Sequence, residues 1–336
     1  MSALKIEKIH TLVTVDDEYR ILHDVDVLIE DGKIAAVGPN LEAPAGARVL
    51  DGRWCAAYPG FVNTHHHFYQ TLTRNIPAVQ DVKLFDWLLW LYEVWRGLHP
   101  EAVQVSTQIA LGELLLSGCT TTTDHFYVFP SSAPEEFLDI EIDTAREIGV
   151  RFHPTRGSMS LGRSQGGLPP DDVTQSWEAI LKDCDRLIAK YHDPDPFAMT
   201  RIVLAPCSPF SVTKESLAET AVFAREKKVF MHTHLAETND EDDFCKQKLG
   251  MSPLEYMESV GWTGPDVWYA HGIWFTPEEI KRLGDMNCGV AHCPCSNLRL
   301  GSGICHVPAL LEAGVRVGIA VDGSASNDSS NLLKEM

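Results

Sequence analysis

Three consecutive histidines, which follow a short apolar run, carry the clearest chemistry in this sequence. The run passes through Pro59-Gly60-Phe61-Val62 and ends at Asn63-Thr64-His65-His66-His67. If the run forms a buried strand, successive side chains point to opposite faces, so His65 and His67 project together and His66 points away. Neutral imidazole is a borderline ligand that suits zinc or iron. The spacing therefore predicts two ligands of a divalent metal, with a solvated histidine cluster as the alternative.

A second histidine pair lies in Phe230-Met231-His232-Thr233-His234-Leu235-Ala236-Glu237. If His234 points toward the same metal, His232 shares its face one layer deeper, where packing inside the fold is its expected role. Glu237 lies just past the strand, where the chain turns, and can reach back toward a metal that His234 holds. A carboxylate in that position accepts a proton from water and delivers it to the substrate. A solvated loop carboxylate is the alternative for Glu237.

Two further strand ends complete the candidate metal centre. Asp322, in Ala320-Val321-Asp322-Gly323, can supply an anionic ligand and a second base, although an Asp-Gly pair is also a common turn. His271, in Tyr269-Ala270-His271-Gly272, is expected to polarise the substrate or orient the attacking water rather than to bind the metal. His65, His67, His234 and Asp322 then form a mononuclear site with the open position that a catalytic metal needs. Zn²⁺ is the expected ion and Fe²⁺ the alternative, since such ligand sets suit both.

Five residues are candidates for binding a substrate: Gln70, Trp95, Tyr127, Arg156 and Cys207. Gln70 lies just beyond His65 and His67, and its side-chain amide can form two hydrogen bonds with the edge of a purine, one donated and one accepted. Trp95 belongs to an aromatic-rich segment, 85–95, of which one or two members can cover a flat ring. Tyr127, Arg156 and Cys207 lie at or just after predicted strands. Each of the five has a structural role as its alternative.

The elements that must position these residues alternate between apolar, strand-like segments and helical patterns. The predicted strands are 56–67, 120–126, 150–157, 201–209, 229–237, 267–274, 289–297 and 315–323. The predicted helices are 102–116, 135–147, 177–190, 214–225 and 277–283, and Gly118, Gly149 and Gly284 are expected to cap three of them. Eight such strands predict a parallel sheet closed into a (β/α)8 barrel of the TIM type, with an open doubly wound sheet as the alternative. No Gly-x-Gly-x-x-Gly follows the first strand, which gives no support to dinucleotide binding.

The positions of the polar residues favour the barrel. Nearly every predicted strand ends in a side chain that can do chemistry, and the carboxyl ends of barrel strands converge on one mouth. The segment before the barrel has a different sequence pattern. Residues 4–55 form short strand-like runs in which apolar and polar residues alternate, and Asp31-Gly32 between two of them is typical of a hairpin turn. We therefore predict a small β domain over 1–57 and a barrel domain over 58–336.

Composition limits the possible partners. The chain has 336 residues, a net charge of −19, 44% hydrophobic and 22% charged residues, as in globular proteins. The acidic balance argues against binding nucleic acid or anionic membranes through a basic surface. The apolar runs are too short to span a membrane. Nine cysteines without scaffold spacing and no signal-peptide core at the N-terminus predict a cytoplasmic protein with reduced thiols. A small heteroaromatic molecule is the expected partner.

Four motifs in fixed order resemble the amidohydrolase superfamily, and within it the branch of deaminases and chlorohydrolases. They are Pro59 to His67, His234-Leu235-Ala236-Glu237, Ala270-His271-Gly272 and Val321-Asp322-Gly323. The resemblance implies a (β/α)8 barrel with a flanking β-sandwich, and one zinc or iron ion held by His65, His67, His234 and Asp322. It also implies that Glu237 shuttles protons, that His271 lies beside the reacting carbon, and that the protein is a homo-oligomer.

Within that branch, the stretches 64–70, 118–125 and 292–300 are most similar to the 8-oxoguanine deaminases, which implies hydrolysis of 8-oxoguanine to urate and ammonia. Guanine deaminases resemble one another in carrying an Arg where this chain has Cys207, and adenosylhomocysteine deaminases in carrying a His. Cys207 fits neither class, so both are disfavoured. Hydrolysis of a triazine, deamination of another purine or adenosyl compound, and a non-catalytic barrel that only binds ligands are the alternatives. Relatives of this kind continue beyond the eighth strand, so we expect the last barrel helix and the C-terminal part of the β-sandwich to be missing.

Overall fold

The computed structural model describes residues 3–132 and 136–336. The chain divides into two compact units, Met1–Gly60 and Phe61–Met336, each of which is described by itself.

The first unit is a five-stranded sheet. Its strands are β1 (Ala3–Val13), β2 (Ile21–Glu30), β3 (Lys33–Gly38), β4 (Arg48–Asp51) and β5 (Ala56–Ala57). Strands β1 to β3 pair antiparallel, whereas β4 and β5 pair parallel with β1, so the sheet is mixed. The predicted hairpin joins β2 to β3, with Asp31 and Gly32 both at positive φ (48° and 79°), as a tight two-residue turn requires. A small apolar core is formed by Ile9, Leu12, Val25 and Val27.

The second unit contains eight strands that follow one another in sequence and in space. They are β6 (Phe61–Asn63), β7 (Cys119–Phe126), β8 (Arg151–Ser158), β9 (Val203–Pro206), β10 (Phe230–Leu235), β11 (Val267–His271), β12 (Gly289–His292) and β13 (Arg316–Ile319). Neighbours in the order β6 to β13 pair in parallel. The first and last strands are joined by the Thr64 amide, which donates to the Ile319 carbonyl at 3.2 Å. The predicted barrel is therefore confirmed as a nearly closed ring, and the open sheet is excluded.

Helices alternate with these strands. The α-helices are α1 (Leu84–Trp95), α2 (Pro100–Leu116), α3 (Phe137–Ile148), α4 (Trp177–Tyr191), α5 (Lys214–Lys227), α6 (Asn239–Phe244), α7 (Pro253–Ser259), α8 (Pro277–Asp285), α9 (Pro294–Arg299), α10 (Val307–Glu312) and α11 (Leu332–Glu335). Short 3-10 helices cover Phe68–Thr73, Pro77–Val79, Arg163–Gln165 and Asp171–Val173, and a π-helical turn covers Cys245–Leu249. No helix in the described ranges is long and apolar enough to cross a membrane.

The ends of the elements account for most differences from the prediction. Helix α3 matches the predicted 135–147, although Glu135 lies outside the described residues, and Gly149 caps it at φ 86° as predicted. The prediction for Gly284 was wrong, because α8 continues through it to Asp285. Most predicted strands run past their observed ends. In three of them the chain leaves the extended conformation at a residue with positive φ: Ala236 (55°), His271 (73°) and Asp322 (59°).

Candidate metal centre and its cavity

Three imidazoles and one carboxylate converge at one end of the barrel. The Oδ1 atom of Asp322 lies 3.3 Å from the Nε2 atoms of both His65 and His67. The Nε2 atoms of His67 and His234 lie 3.2 Å apart. His65 and His67 follow β6, His234 is on β10 and Asp322 follows β13, and all four side chains are buried. The structure therefore brings together the four ligands that were predicted.

In two of the histidines, the hydrogen bond made by the ring nitrogen that faces away from the cluster determines which nitrogen can bind a metal. Nδ1 of His67 lies 2.7 Å from the carbonyl of His125, and Nδ1 of His234 lies 2.7 Å from the carbonyl of Cys207. A carbonyl only accepts, so each Nδ1 carries the proton and each Nε2 presents a lone pair. The contact between these two Nε2 atoms is consequently not a hydrogen bond. Within the described ranges, Nε2 of His65 has no hydrogen-bond partner although it is buried.

Facing lone pairs in a buried site repel one another unless a cation lies between them, so this donor set fits a divalent metal. Burial lowers the pKa of His65, His67 and His234, which keeps the imidazoles neutral and able to ligate. Burial alone would raise the pKa of Asp322, but the surrounding imidazoles, His65 foremost, hold that pKa well below its usual value. The second oxygen of Asp322 accepts from the Ser296 hydroxyl at 2.5 Å.

A carboxylate and an imidazole that are not in the ligand set lie beside it. Nε2 of His271 is 3.4 Å from Oε2 of Glu237, and both side chains are buried. Burial raises the pKa of Glu237 to about 7, against the opposing influence of His271. Burial would lower the pKa of His271, but the charges of Glu237 and Asp322, with a 2.9 Å hydrogen bond from its Nδ1 to Asn297 Oδ1, raise it overall. The pair can therefore exchange protons near neutral pH.

The backbone turn that carries Glu237 is held by another carboxylate. Glu241, in the first turn of α6, accepts from the amides of Ala236 and Glu237, each at 3.0 Å. Ala236 is in the left-handed region, which non-glycine residues rarely adopt. The amides of Ile273 and Trp274 donate to the Ala236 carbonyl, which ties this turn to the one after His271. The chain thus stabilises a strained turn in order to direct Glu237 toward the metal ligands.

A cavity opens above these groups, with mostly aromatic and polar walls. Besides Glu237, His271 and three of the candidate ligands (His67, His234 and Asp322), its lining includes Gln70, Trp87, Tyr127, Cys207 and Phe210. Oε1 of Gln70 is buried and has no hydrogen-bond partner among the described residues, so it is available to a polar ligand. The arrangement is a candidate metal-ligand set with an acid–base pair at the bottom of a cleft that aromatic side chains line.

Comparison with known proteins agrees with this geometry. The model of the family described as "Amidohydrolase family" matches residues 56–336. The chain is 50% identical over 311 residues to an 8-oxoguanine deaminase of Pseudomonas aeruginosa, covering 92% of this chain and 69% of that protein. It is 41% identical over 334 residues to a hydroxydechloroatrazine ethylaminohydrolase of a Pseudomonas strain, covering 96% and 69%. The crystal structure of an atrazine chlorohydrolase from Arthrobacter aurescens TC1, complexed with zinc, superimposes with a TM-score of 0.95 at 35% identity, covering 98% and 74%.

The chain belongs to the amidohydrolase family. The predicted enzyme class, a hydrolase acting on C–N bonds, is confirmed with it, since these relatives include named deaminases and aminohydrolases. The family is metal-dependent, and this amidohydrolase has a His/Asp cluster that could hold a metal ion.

Two of the five predicted substrate contacts do not reach the cavity of this amidohydrolase. The guanidinium of Arg156 donates to Asp183 at 2.5 Å, to Gln175 at 2.8 Å and to the Gly157 carbonyl, and it lies over the Phe129 ring. Trp95 is buried in α1, and its indole N–H donates to Thr73 at 3.2 Å. Their observed contacts are structural. Gln70, Tyr127 and Cys207 do line the cavity.

Sequence reasoning missed several residues that shape the amidohydrolase site. Trp87 was recognised only as part of the aromatic segment, and Phe210 was not singled out, although both line the cavity. Asn297 and Ser296 follow the His292-Cys293-Pro294-Cys295 stretch, whose residues include none of the potential metal ligands found among the described residues. The signal available for Asn297 was its place just beyond a strand end. No sequence signal separates Glu241 from the other acidic residues of Asn239–Phe244.

Proposed function

We propose that this amidohydrolase is a hydrolytic deaminase of an oxidised purine, converting 8-oxoguanine and water to urate and ammonia. The observation that carries the proposal is the Glu237–His271 pair, 3.4 Å apart and adjacent to the His/Asp cluster, in a cleft with aromatic walls. The 50% identity to a named 8-oxoguanine deaminase supports the choice of substrate.

We propose Zn²⁺ as the ion, held by His65, His67, His234 and Asp322, with Fe²⁺ as the alternative. Three imidazole nitrogens and one carboxylate oxygen are a donor set that both ions accept. A bound divalent ion supplies Lewis acidity, which makes water a better nucleophile at neutral pH.

The side chains then account for the proton transfers. Glu237, with a pKa of about 7, accepts a proton from the attacking water and returns it to a ring nitrogen of the substrate. The oxygen of water forms a bond with the amine-bearing carbon, and the proton that remains on this oxygen passes through the Asp322 carboxylate to the exocyclic amine. The C–N bond then breaks, the amine leaves as ammonia, and the new oxygen becomes a carbonyl. His271, whose pKa is raised, donates a hydrogen bond to the negative charge that develops at this carbon's new oxygen. Asp322 is an anionic ligand and a second acceptor for the water proton.

The remaining cavity residues orient the ring. Gln70 offers both a donor and an acceptor, and its Oε1 has no partner in the part of the chain that the structure describes, so it can pair with a purine edge. Trp87, Tyr127 and Phe210 present flat surfaces to a heteroaromatic ring. The thiol of Cys207, whose pKa burial raises to about 12, contributes a neutral surface.

A triazine is the second candidate substrate, because the chain is 41% identical to a triazine aminohydrolase and superimposes closely on a zinc-containing chlorohydrolase. The test loads the purified protein with zinc and offers 8-oxoguanine, guanine and an aminotriazine in parallel, following ammonia release and ultraviolet absorbance. We expect urate to form from 8-oxoguanine much faster than xanthine forms from guanine. Faster turnover of the triazine would favour the second candidate. Tight binding of all three without ammonia release would favour a non-catalytic binding protein and overturn the proposal.

Further sequence predictions stay proposals: a catalytic domain over 58–336 beside a small β domain over 1–57, a location in the cytoplasm, assembly into homo-oligomers, and no nucleic acid or membrane partner.

A further inference from the structure

The three candidate histidine ligands differ in what supports the ring nitrogen that faces away from the cluster. For His67 and His234 the support is a backbone carbonyl, which no side-chain substitution removes. For His65 it is another side chain: Nδ1 of His65 lies 2.7 Å from Nε2 of His232. Among the ligand histidines in the described part of the chain, only His65 depends on a residue that can be replaced.

The direction of the hydrogen bond between His65 and His232 follows from the contact that His232 makes with its other ring nitrogen. Nδ1 of His232 lies 2.9 Å from the carbonyl of Trp268, which only accepts, so the proton of His232 is on Nδ1. Nε2 of His232 is then an acceptor, and the proton between the two rings belongs to Nδ1 of His65. Nε2 of His65 is therefore unprotonated and presents its lone pair. It is buried and has no hydrogen-bond partner among the residues that the structure describes. One carbonyl thus determines the protonation of two rings in series.

The position of His232 is well fixed. Its ring stacks on Trp268 with centroids 4.4 Å apart and an interplanar angle of 15°. The side chain is fully buried, one strand layer below His234 on β10. Because its two nitrogens are engaged by His65 and Trp268, His232 does not itself offer a lone pair to the cluster.

We propose that His232 is a positioning residue of the metal centre, which holds His65 in the ligating tautomer and orientation and thereby sets the affinity for the ion. The inference rests on the proposed metal site. Loss of such outer hydrogen-bond partners typically weakens metal binding about 10–100-fold.

The experiment compares His232→Gln with His232→Leu. A glutamine can still accept from His65 through Oε1, whereas leucine fills a similar volume without an acceptor. Zinc dissociation constants are measured by competition with a chromophoric chelator, and the visible spectrum of the cobalt-substituted protein reports ligand geometry. We expect His232→Leu to weaken zinc binding ~10-fold to ~100-fold and to alter the cobalt spectrum, and His232→Gln to stay within ~3-fold of the wild type with an unchanged spectrum.

His125→Leu is the matched control. His125 is equally buried and stacks on His234, but its ring donates to the Ala205 carbonyl and bonds no ligand ring. Its bond to His67 is made by its backbone carbonyl, which the substitution keeps. Equal losses in His125→Leu and His232→Leu would assign the effect to packing and overturn the proposal, as would unchanged affinity in His232→Leu. If His232→Leu does not fold, His232→Asn replaces it, since its shorter amide does not reach His65, and the same outcomes apply. Failure of the wild type to bind any divalent metal would instead refute the metal centre on which the proposed function depends.

Discussion

Replacement of Glu237 by glutamine tests the proposed chemistry most directly. The substitution keeps the size of a fully buried side chain and its position 3.4 Å from His271, but it removes the group that accepts and returns the proton. Because Glu237 is outside the ligand set, the metal should remain bound.

The magnitude follows from the role. A positioned acid–base group contributes about 10²–10⁴-fold to the rate, which corresponds to ~3 to ~5 kcal/mol in the activation barrier. We expect kcat for ammonia release from 8-oxoguanine to fall by that factor in Glu237→Gln, while KM changes little. Zinc content by elemental analysis should stay at the wild-type stoichiometry.

The control is Glu226→Gln, which makes the same chemical change at an exposed position of α5 and should leave kcat unaltered. Wild-type turnover by zinc-loaded Glu237→Gln would refute the assignment of the proton shuttle. Loss of zinc together with activity would show that Glu237 acts on the metal site rather than on the proton transfer.

Three further predictions concern other carboxylates and pH. Because burial raises the pKa of Glu237 to about 7 and the base form is the active one, kcat/KM should rise with pH up to about 7. It should fall again at higher pH, where His271 loses the Nε2 proton that it donates, since its other N–H is engaged by Asn297. Initial rates between pH 5 and 9 check this. Glu241→Gln should lower kcat ~10-fold or more with metal content unchanged. The NH2 group of the new glutamine would face one of the two backbone N–H donors, at Ala236 or Glu237, and two donors cannot form a hydrogen bond. Steady-state kinetics and metal analysis check this. Burial, together with Asp124, raises the pKa of Glu141, so the folded state keeps a proton that the unfolded chain releases above pH ~4 and stability falls as pH rises. Glu141→Gln should therefore raise Tm by ~3 °C at pH 8 but not at pH 4. The control is Glu147→Gln at an exposed position of the same helix, which should not show this pH-dependent rise. Equal shifts of Tm at both pH values in Glu141→Gln would contradict the reasoning.

The barrel could be predicted because its signals are local and repeated. Each strand of the second unit is a short apolar run, and several runs end in a side chain that can ligate or titrate, such as His234, His271 and Asp322. Such ends converge only if the strands are parallel and form a ring. The four candidate ligands, which the structure places close together, were chosen from this geometry without knowledge of any side-chain conformation.

The residues that line the cavity were harder to predict, because their positions depend on packing between elements that are distant in sequence. Arg156 ends a strand, as the ligands do, but a salt bridge to Asp183 on α4 holds its guanidinium away from the cavity. Trp87 and Trp95 lie on the same helix, yet only Trp87 lines the cavity, while Trp95 packs against Tyr69. Nothing in the local sequence distinguishes the two roles.

The two His-x-His pairs show most clearly where spacing stops being informative. In a strand, residues i and i+2 share a face but lie ~6.6 Å apart along the chain. His232 and His234 are both inside β10, so only His234 reaches the cluster and His232 is left one layer below it. Strand β6 ends at Asn63, before His65 and His67, and the chain can turn so that their ring centroids lie 4.7 Å apart and both Nε2 atoms approach Asp322. The same spacing thus places two candidate ligands at the cluster in one case and, in the other, one candidate ligand and one histidine behind it, because the point where the strand ends decides which geometry applies.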